Sequence, residues 1–466
     1  MFKKLWGNAR KDAELASELR SRGNAALGRG QLDEAADCYR RAIDADAADP
    51  HARVNLAYVL LEQGHPAEAI EGIRQAIARA GGDNETLADA HYLLAQARRA
   101  QGQTDQALES LRAAMAARPG FEQALQEIVP LLVQSQRADE AVAFARHAVD
   151  SQPTAACLMQ LAQALHAHGD SDEAFAAVEA VLASEPGNVA ARSTRATLLL
   201  EKGRASEALC AFDQLIAKHG ADADTLCNRA AALHRLDRAE ESLAAAEAAL
   251  RLQPEHKQAM HARGRALLAL LRVAEARDVT AEAQRLYPDD ADLQWNSAVA
   301  HLLLGEFEAG WLAHEARWKA KGFAAAGGAS VSGAPRWSGK ESLANATILL
   351  YSEQGLGDVL QFLRYVPLVA SRAREVFLRV PPEVAPLAGA LAPNCRIIEA
   401  AQPLPAFDYQ CPLLSLPHAF GTTLADVPSA IPYLHADPVR AAQWRERFSA
   451  RAGRRVGIIW SGNSRH

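Results

Sequence analysis

The sequence predicts two regimes in one chain: a stack of short helical hairpins over roughly the first 320 residues, then a smaller α/β domain. Three observations carry this. Early prolines recur at a fixed spacing: 34 residues from Pro119 to Pro153 and from Pro254 to Pro288, and 33 from Pro153 to Pro186. A period of that length marks stacked units that cannot bury their apolar faces alone. Proline usage then changes, with 8 of the 21 in residues 1–320 and 13 in the last 146. Finally, Ala346 to Tyr351 reads ATILLY, followed by SEQGLGD and by VLQFLRYVPLVA with apolar residues at helical spacing. That is strand, Gly-rich turn, helix.

Length and charge narrow the function classes. At 466 residues the chain has room for two to four domains. Its 50 Lys and Arg against 56 Asp and Glu leave a net charge of -6, without the basic excess that nucleic acid or an anionic membrane would demand. Hydrophobic residues make up 49%, enough for sizeable cores. No run approaches the roughly 18 to 20 unbroken apolar residues of a membrane span. The N-terminus, MFKKLWGNAR, lacks the apolar stretch of a secretory signal. These features predict a soluble, cytoplasmic protein. Cysteines at 38, 157, 210, 227, 395 and 411 are scattered, with no Cys-x-x-Cys pair or nearby His, and are expected to be small buried apolar residues rather than metal ligands.

Nine units align, starting near residues 16, 50, 88, 122, 155, 189, 223, 257 and 291. The alignment sets a small residue at position 8, a turn at 15, Ala at 20, a bulky residue at 24, Ala at 27 and Pro at 32. In GNAALGRGQLDEAADCYRRAI these are Gly23, Gly30, Ala35, Tyr39 and Ala42, and Gly64 with Ala69, Gly102 with Ala107, Gly169 with Ala174 and Gly203 with Ala208 repeat the pattern. Gly81 to Glu85 is a short insertion expected on a loop. The pattern resembles the tetratricopeptide repeat over about two thirds of the chain. That resemblance implies an α superhelix with a concave groove. The predicted organisation is a tail at 1–14, repeats at 15–320, a linker at 321–345 that includes the Gly-rich GFAAAGGASVSGAPRWSG, and α/β structure from 346.

Position 6 of each first helix should face the groove. In order these residues are Ser21, Asn55, Leu93, Glu127, Gln160, Thr194, Asn228, Ala262 and Asn296. Ser21, Asn55, Gln160, Thr194, Asn228 and Asn296 are neutral hydrogen-bonding side chains, and amides that donate and accept suit a sequence-independent grip on a peptide backbone. A solvated face would be polar in any case. Arg20, Asn24 and Asn55 also resemble part of the carboxylate clamp of chaperone-binding repeat proteins. Asp89 and Leu93 stand where that clamp needs cations, so it is rejected. The repeat histidines show no acidic or Cys partner at local spacing, and His166 and His168 point to different helix faces.

The last unit places Trp311, Glu315 and Trp318 on successive turns, a surface expected to be covered by the following domain. Further strands are predicted at 375–380, 396–399 and 407–410, with a helix at 383–391, which together make a mainly parallel sheet of Rossmann type. The turn SEQGLGD is not a dinucleotide fingerprint, since G-x-G-x-x-G would need Gly where Leu360 stands. Gly355 and Gly357 permit tight backbone geometry at an open helix N-terminus. Asp358 reads either as a helix-capping carboxylate or as a general base at the mouth of a cleft.

The runs PRWSGKESLANATILLYSEQGLGDVLQFLRYVPLVA, PAFDYQCPLLSLPHAFGTTL and RVGIIWSGN resemble the glycosyltransferase module of bacterial tetratricopeptide proteins, which is similar to ADP-heptose:lipopolysaccharide heptosyltransferases. The resemblance implies the N-terminal, acceptor-side half of a GT-B fold at residues 346–450 and an inverting transfer from a nucleotide sugar without metal. Asp358 would be the base. Glu353, Gln354, Gly355, Gly357, Arg364 and Tyr365 would belong to the acceptor loop, and Ser461, Gly462 and Asn463 to the donor's phosphate-proximal loop. The chain ends at His466, so an incomplete second half at 451–466, without donor affinity or turnover, is expected. Two alternatives stand beside this one: a non-catalytic repeat adaptor, and an enzyme resembling protein O-GlcNAc transferase. The expected partners are a protein or peptide in the groove, with a nucleotide sugar only if the second half is present.

Overall fold

The computed structural model describes residues 2–320, 333–389, 391–399 and 402–449. The chain divides into two compact units, Met1–Ala221 and Asp222–His466. The first holds six helical hairpins: α1 (Phe2–Gly28) with α2 (Leu32–Ala45), α3 (Pro50–Glu62) with α4 (Pro66–Arg79), α5 (Asn84–Ala100) with α6 (Thr104–Ala117), α7 (Glu122–Gln134) with α8 (Ala138–Ser151), α9 (Ala155–His168) with α10 (Ser171–Ser184), and α11 (Val189–Glu201) with α12 (Ala205–His219). The segment read as a tail is thus part of α1. The second unit opens with three more: α13 (Ala223–Arg235) with α14 (Ala239–Leu252), α15 (Lys257–Ala269) with α16 (Val273–Leu286), and α17 (Ala291–Leu303) with α18 (Phe307–His314).

Local chemistry explains where the helices begin and turn. Asp49, Asp83, Thr154, Asn188, Asp222 and Asp290 each accept a backbone N–H of the helix they precede, satisfying donors that have no partner inside the helix. Between the two helices of each hairpin one residue adopts positive φ: Gly30, Gly64, Gly102, Gln136, Gly169, Gly203, Asp237, Leu271 and Gly305. Six are glycine, which takes this conformation at no steric penalty. Close packing explains the alanine content. Ala57, Ala162, Ala196, Ala230 and Ala298 at position 8, and Ala35, Ala69, Ala141, Ala174 and Ala208 at position 20, are fully buried where paired helices touch. Ser242 replaces Ala at position 20 and satisfies its hydroxyl by donating to Ala230 O at 2.8 Å.

Ion pairs then reinforce the stack, three between successive hairpins and one, Arg118 with Asp89, within the hairpin of α5 and α6. Arg20 meets Asp49 at 2.7 Å, Arg118 meets Asp89 at 3.0 Å and Arg146 meets Glu173 at 2.6 Å, while Lys202 pairs with Asp172. Each joins residues 27 to 30 apart in sequence, close to one repeat.

The rest of the second unit is a four-stranded sheet: β1 (Thr347–Tyr351), β2 (Glu375–Arg379), β3 (Cys395–Ile397) and β4 (Tyr409–Pro412), all parallel in the order β3-β2-β1-β4. α19 (Leu356–Phe362) and α20 (Val366–Ala370) connect β1 to β2, α21 (Ala385–Ala388) connects β2 to β3, α22 (Leu416–Ala419) follows β4, and α23 (Pro438–Ser449) buries no residue. The helix expected at 383–391 is only one turn long, with Pro386 in its first turn, Pro381 and Pro382 before it and Gly389 and Pro393 after it. β1 is buried along its whole length, as a central parallel strand must be. Ile348 and Leu350 face the cluster that contains Val359, Phe362 and Val366. Leu349 and Tyr351 face Phe377, Ile398, Leu404, Phe407 and Trp318. Trp311 meets the Phe362 ring edge-on at 5.7 Å and Trp318 packs against Leu349 and Tyr351, so these two tryptophans are covered by the α/β part, whereas Trp295 on α17 lies against His314. The later part of the Gly-rich stretch runs along β4: Trp337 N–H donates to Gln410 O at 2.8 Å, and Gln410 donates through N–H to Pro335 O at 3.1 Å and through Nε2 to Ala334 O at 2.6 Å.

Leu271 is 78% exposed and its φ is +55°, so its side chain contributes little packing while its backbone is strained. Relief of about 1–2 kcal/mol of left-handed strain, less the entropy glycine adds to the unfolded chain, leaves Leu271→Gly about 0.5–1 kcal/mol more stable. Urea or thermal melting followed by circular dichroism measures this, and an unchanged or lower midpoint refutes it.

Candidate functional site

Within the first unit, α9 and α11 line an open cavity of about 740 Å³. Gln160, Gln163 and His166 contribute from α9, and Ser193, Thr194 and Thr197 from α11. Two of the predicted groove residues therefore meet there. Thr194 and Thr197 donate to the carbonyls of Ala190 at 3.0 Å and Ser193 at 3.2 Å. Gln160 Oε1 is buried and accepts nothing from the described residues. The other predicted positions differ in state. Ser21 Oγ donates to Ser17 O at 3.0 Å. Asn55 Nδ2 donates to Asn24 Oδ1 at 3.0 Å, and the Tyr39 hydroxyl shares that acceptor at 2.7 Å, so these amides link adjacent hairpins. The salt bridge to Asp49 already neutralises Arg20 of the rejected clamp. Asn228 lines a smaller cavity in the second unit, whereas Asn296 is 4% exposed and donates to His261 O at 3.3 Å.

Several histidines have acidic partners of their own, and among these pairs no acid is shared between two histidines. His166 lies 3.1 Å from Glu201, and His168 bridges Asp139 at 2.7 Å and Asp170 at 2.8 Å. His256 meets Asp224 at 2.9 Å. Most of these partners lie about one repeat away in sequence, which local spacing cannot reveal. Cysteine placement also differs from expectation, since Cys210 is exposed and Cys395 half-buried. Among the described residues no group of three or more His, Cys, Asp or Glu could hold a metal.

At the sheet, Asp358 is half-buried in the first turn of α19. No side chain caps that helix; Gly355 is its N-cap, and Asp358 makes no capping bond. Neither Gly355 nor Gly357 takes positive φ, and a Cβ on Gly357 would meet nothing. The tight geometry expected of these glycines is therefore absent. Arg364 and Tyr365 hold the chain after β4: Arg364 Nη2 donates to the Tyr433 hydroxyl at 3.4 Å, and the buried Tyr365 hydroxyl donates to Thr422 Oγ1 at 3.2 Å. Gln354 is half-buried in the loop that follows β1. Arg455 to Trp460, with Ser461, Gly462 and Asn463, lie outside the described residues.

Glu353 belongs to a buried cluster that the sequence did not disclose. Arg317, from the 3-10 turn Glu315–Lys319 after α18, has no exposed side-chain surface. Its Nη2 donates to Glu353 Oε1 and to Ser415 Oγ, both at 2.7 Å, and its Nη1 donates to Glu315 Oε1 at 2.7 Å. Ser415 Oγ in turn donates to Glu315 Oε1 at 2.7 Å. Glu353 follows β1 and Ser415 follows β4, so one guanidinium bridges the carboxyl ends of two neighbouring strands. Arg336 lies 3.8 Å from Glu315, and both arginines stack on Trp318. Burial opposes ionisation of Glu315, yet Arg317, Ser415 and Arg336 hold its pKa below the usual range. For Glu353 burial wins: despite Arg317, its pKa rises to about 7. Its Oε2 and the Tyr351 hydroxyl are buried without a partner among the described residues.

Because the folded-state pKa of Glu353 lies above its unfolded value, the fold favours the protonated carboxyl. Its contribution is full below the unfolded pKa, near 4.5, and is lost as pH rises to about 7. Glu353→Gln keeps an acceptor for Arg317 without a charge. It should match the wild type near pH 4.5 and exceed it above pH 7 by about 1–3 kcal/mol. Melting curves across that range test this, and parallel pH profiles for the two proteins contradict it.

Comparison with known proteins agrees with the hairpin architecture. Profiles described as tetratricopeptide repeat match residues 20–85, 127–189 and 227–291, with further matches at 165–226 and 89–120. Among curated proteins no match is found. Similar solved structures include a tetratricopeptide repeat protein from Parabacteroides merdae, at 16% identity over 55% of this chain and 99% of that one, with TM-score 0.43. PilF of Pseudomonas aeruginosa is 19% identical over 46% of this chain and 96% of that one, with TM-score 0.37. MamA from Desulfovibrio magneticus is 16% identical over 36% and 93%, with TM-score 0.31. With repeat profiles covering more than half of its length between residues 20 and 291, the chain belongs to the tetratricopeptide-repeat proteins.

Proposed function

We propose that the repeats form a scaffold that holds an extended segment of a partner protein. One observation carries this reading: the cavity of about 740 Å³ between α9 and α11, lined by amide and hydroxyl side chains, with Gln160 Oε1 buried and unpartnered. An amide that lacks a partner in the free protein gains a hydrogen bond when a peptide N–H arrives. Labelled degenerate peptide pools should bind saturably by fluorescence anisotropy. Gln160→Ala should weaken that binding about three- to tenfold without changing the circular dichroism spectrum. Absence of saturable binding rejects the scaffold.

A second reading has a separate support. The all-parallel order β3-β2-β1-β4 is that of the first strands of a doubly wound sheet, in which ligands sit outside the carboxyl ends where the order reverses. Asp358 stands on the helix that follows β1, with a carboxylate uncommitted to capping. On this reading residues 346–450 are the acceptor-side half of a GT-B glycosyltransferase of Rossmann type. Asp358 takes the proton of an acceptor hydroxyl as that oxygen attacks the anomeric carbon of a nucleotide sugar. Glu353, Gln354, Gly355, Gly357, Arg364 and Tyr365 shape the acceptor loop, and Ser461, Gly462 and Asn463 approach the donor phosphates. Nucleotide release from a panel of nucleotide sugars tests it. Turnover that falls at least a hundredfold in Asp358→Asn supports the base, while turnover unaffected by that substitution removes it.

A further inference from the structure

In the second unit α13 and α15 enclose a cavity of about 190 Å³, lined among others by Asn228, His234, Gln258, His261 and Arg265. Hydrogen-bonding side chains from two successive repeats converge there. Arg265 has neither a hydrogen bond nor an ion pair with any described residue. Burial lowers its pKa, nearby Arg235 lowers it further, and Asp292 is the acidic group that opposes them. Arg265 is half-buried, with its guanidinium nitrogens still open to solvent at the cavity, and a cation so placed with no carboxylate paired to it gains an ion pair when an anion arrives. Burial, then Arg265, depresses His261 to about pKa 4, and His234 is lowered for the same reasons. Both rings are therefore neutral at physiological pH, each able to offer one N–H.

We propose that this cavity is an acid-recognition subsite, in which Arg265, flanked by His234, His261, Asn228 and Gln258, receives a glutamate or aspartate side chain of a partner peptide. The inference rests on the scaffold reading and adds the chemistry of the partner. A guanidinium fork matches a carboxylate in two parallel hydrogen bonds. Neutral imidazoles and amides add donors without further charge, so the site suits a singly charged carboxylate better than a phosphate dianion. Its residues are distinct from Arg20, Asn24 and Asn55, considered above for a terminal carboxylate.

The test uses the whole chain and three fluorescein-labelled, C-terminally amidated degenerate nonapeptide pools that differ only in a central glutamate, glutamine or phosphoserine. Amidation removes the terminal carboxylate as a competing source. At low ionic strength the glutamate pool should bind about tenfold more tightly than the glutamine pool. Arg265→Gln should abolish that difference while leaving affinity for the glutamine pool unchanged, and Arg265→Lys should retain part of it. Melting separates recognition from structure: an unpartnered arginine predicts no loss of stability in Arg265→Gln, and a large loss overturns the proposal. Equal binding of the glutamate and glutamine pools by the wild type overturns the subsite and leaves the scaffold intact. A preference that survives Arg265→Gln, or tighter binding of the phosphoserine pool, also overturns it. No binding of any pool removes scaffold and subsite together.

Discussion

The buried guanidinium of Arg317 is the constraint around which the second unit is arranged. It leaves the last helical hairpin, reaches past the carboxyl ends of β1 and β4, and is held there by Glu315, Glu353 and Ser415. A cation removed from water is tolerated only with its hydrogen-bonding capacity largely used and counter-charge at hand. The same neighbourhood therefore has to supply Glu315 as the ionised partner and Glu353 as a carboxyl that burial drives toward neutrality. Trp318 stacks on both Arg317 and Arg336 while packing against the face of the sheet, and Trp311 packs against Phe362 on the helical side. The carboxyl edge of the sheet and the end of the repeats are thus a single packed structure. A loop residue such as Glu353 acts there as a structural ligand.

Much of the fold was legible because it is periodic. Small residues, most often alanine, recur at positions 8 and 20 where paired helices touch, and those positions are buried in every unit described. The turn position was legible where it held glycine. At Gln136, Asp237 and Leu271 the same left-handed conformation occurs without that signal, and only the period of the neighbouring turns locates it. All four strands lie within a few residues of their expected positions, because short apolar runs between Pro and Gly leave few alternatives.

The candidate sites were less legible, for a physical reason. Burial and partnership are properties of pairs distant in sequence. Asn296 and Gln160 occupy the same repeat position, yet one amide is spent on the His261 carbonyl and the other has an oxygen buried without a partner among the described residues. Nothing local marks Arg317, because Glu353 and Ser415 lie 36 and 98 residues away. Arg265 is the opposite case: nothing in its sequence context distinguishes it from Arg263, which has Glu247 at 3.8 Å.

The Arg317 bridge also carries a consequence for the order of biosynthesis. A chain emerging from the ribosome exposes its N-terminal segments first. Hairpins α13 to α18 and Arg317 leave the exit tunnel before β1, and Ser415, which completes the bridge, comes out 98 residues after the arginine. During that interval the cation is hydrated, and the two tryptophan faces meant for the sheet have no cover. The repeats therefore act as a waiting template on which the sheet closes last. Arg317 thus couples completion of the sheet to prior formation of the last hairpin.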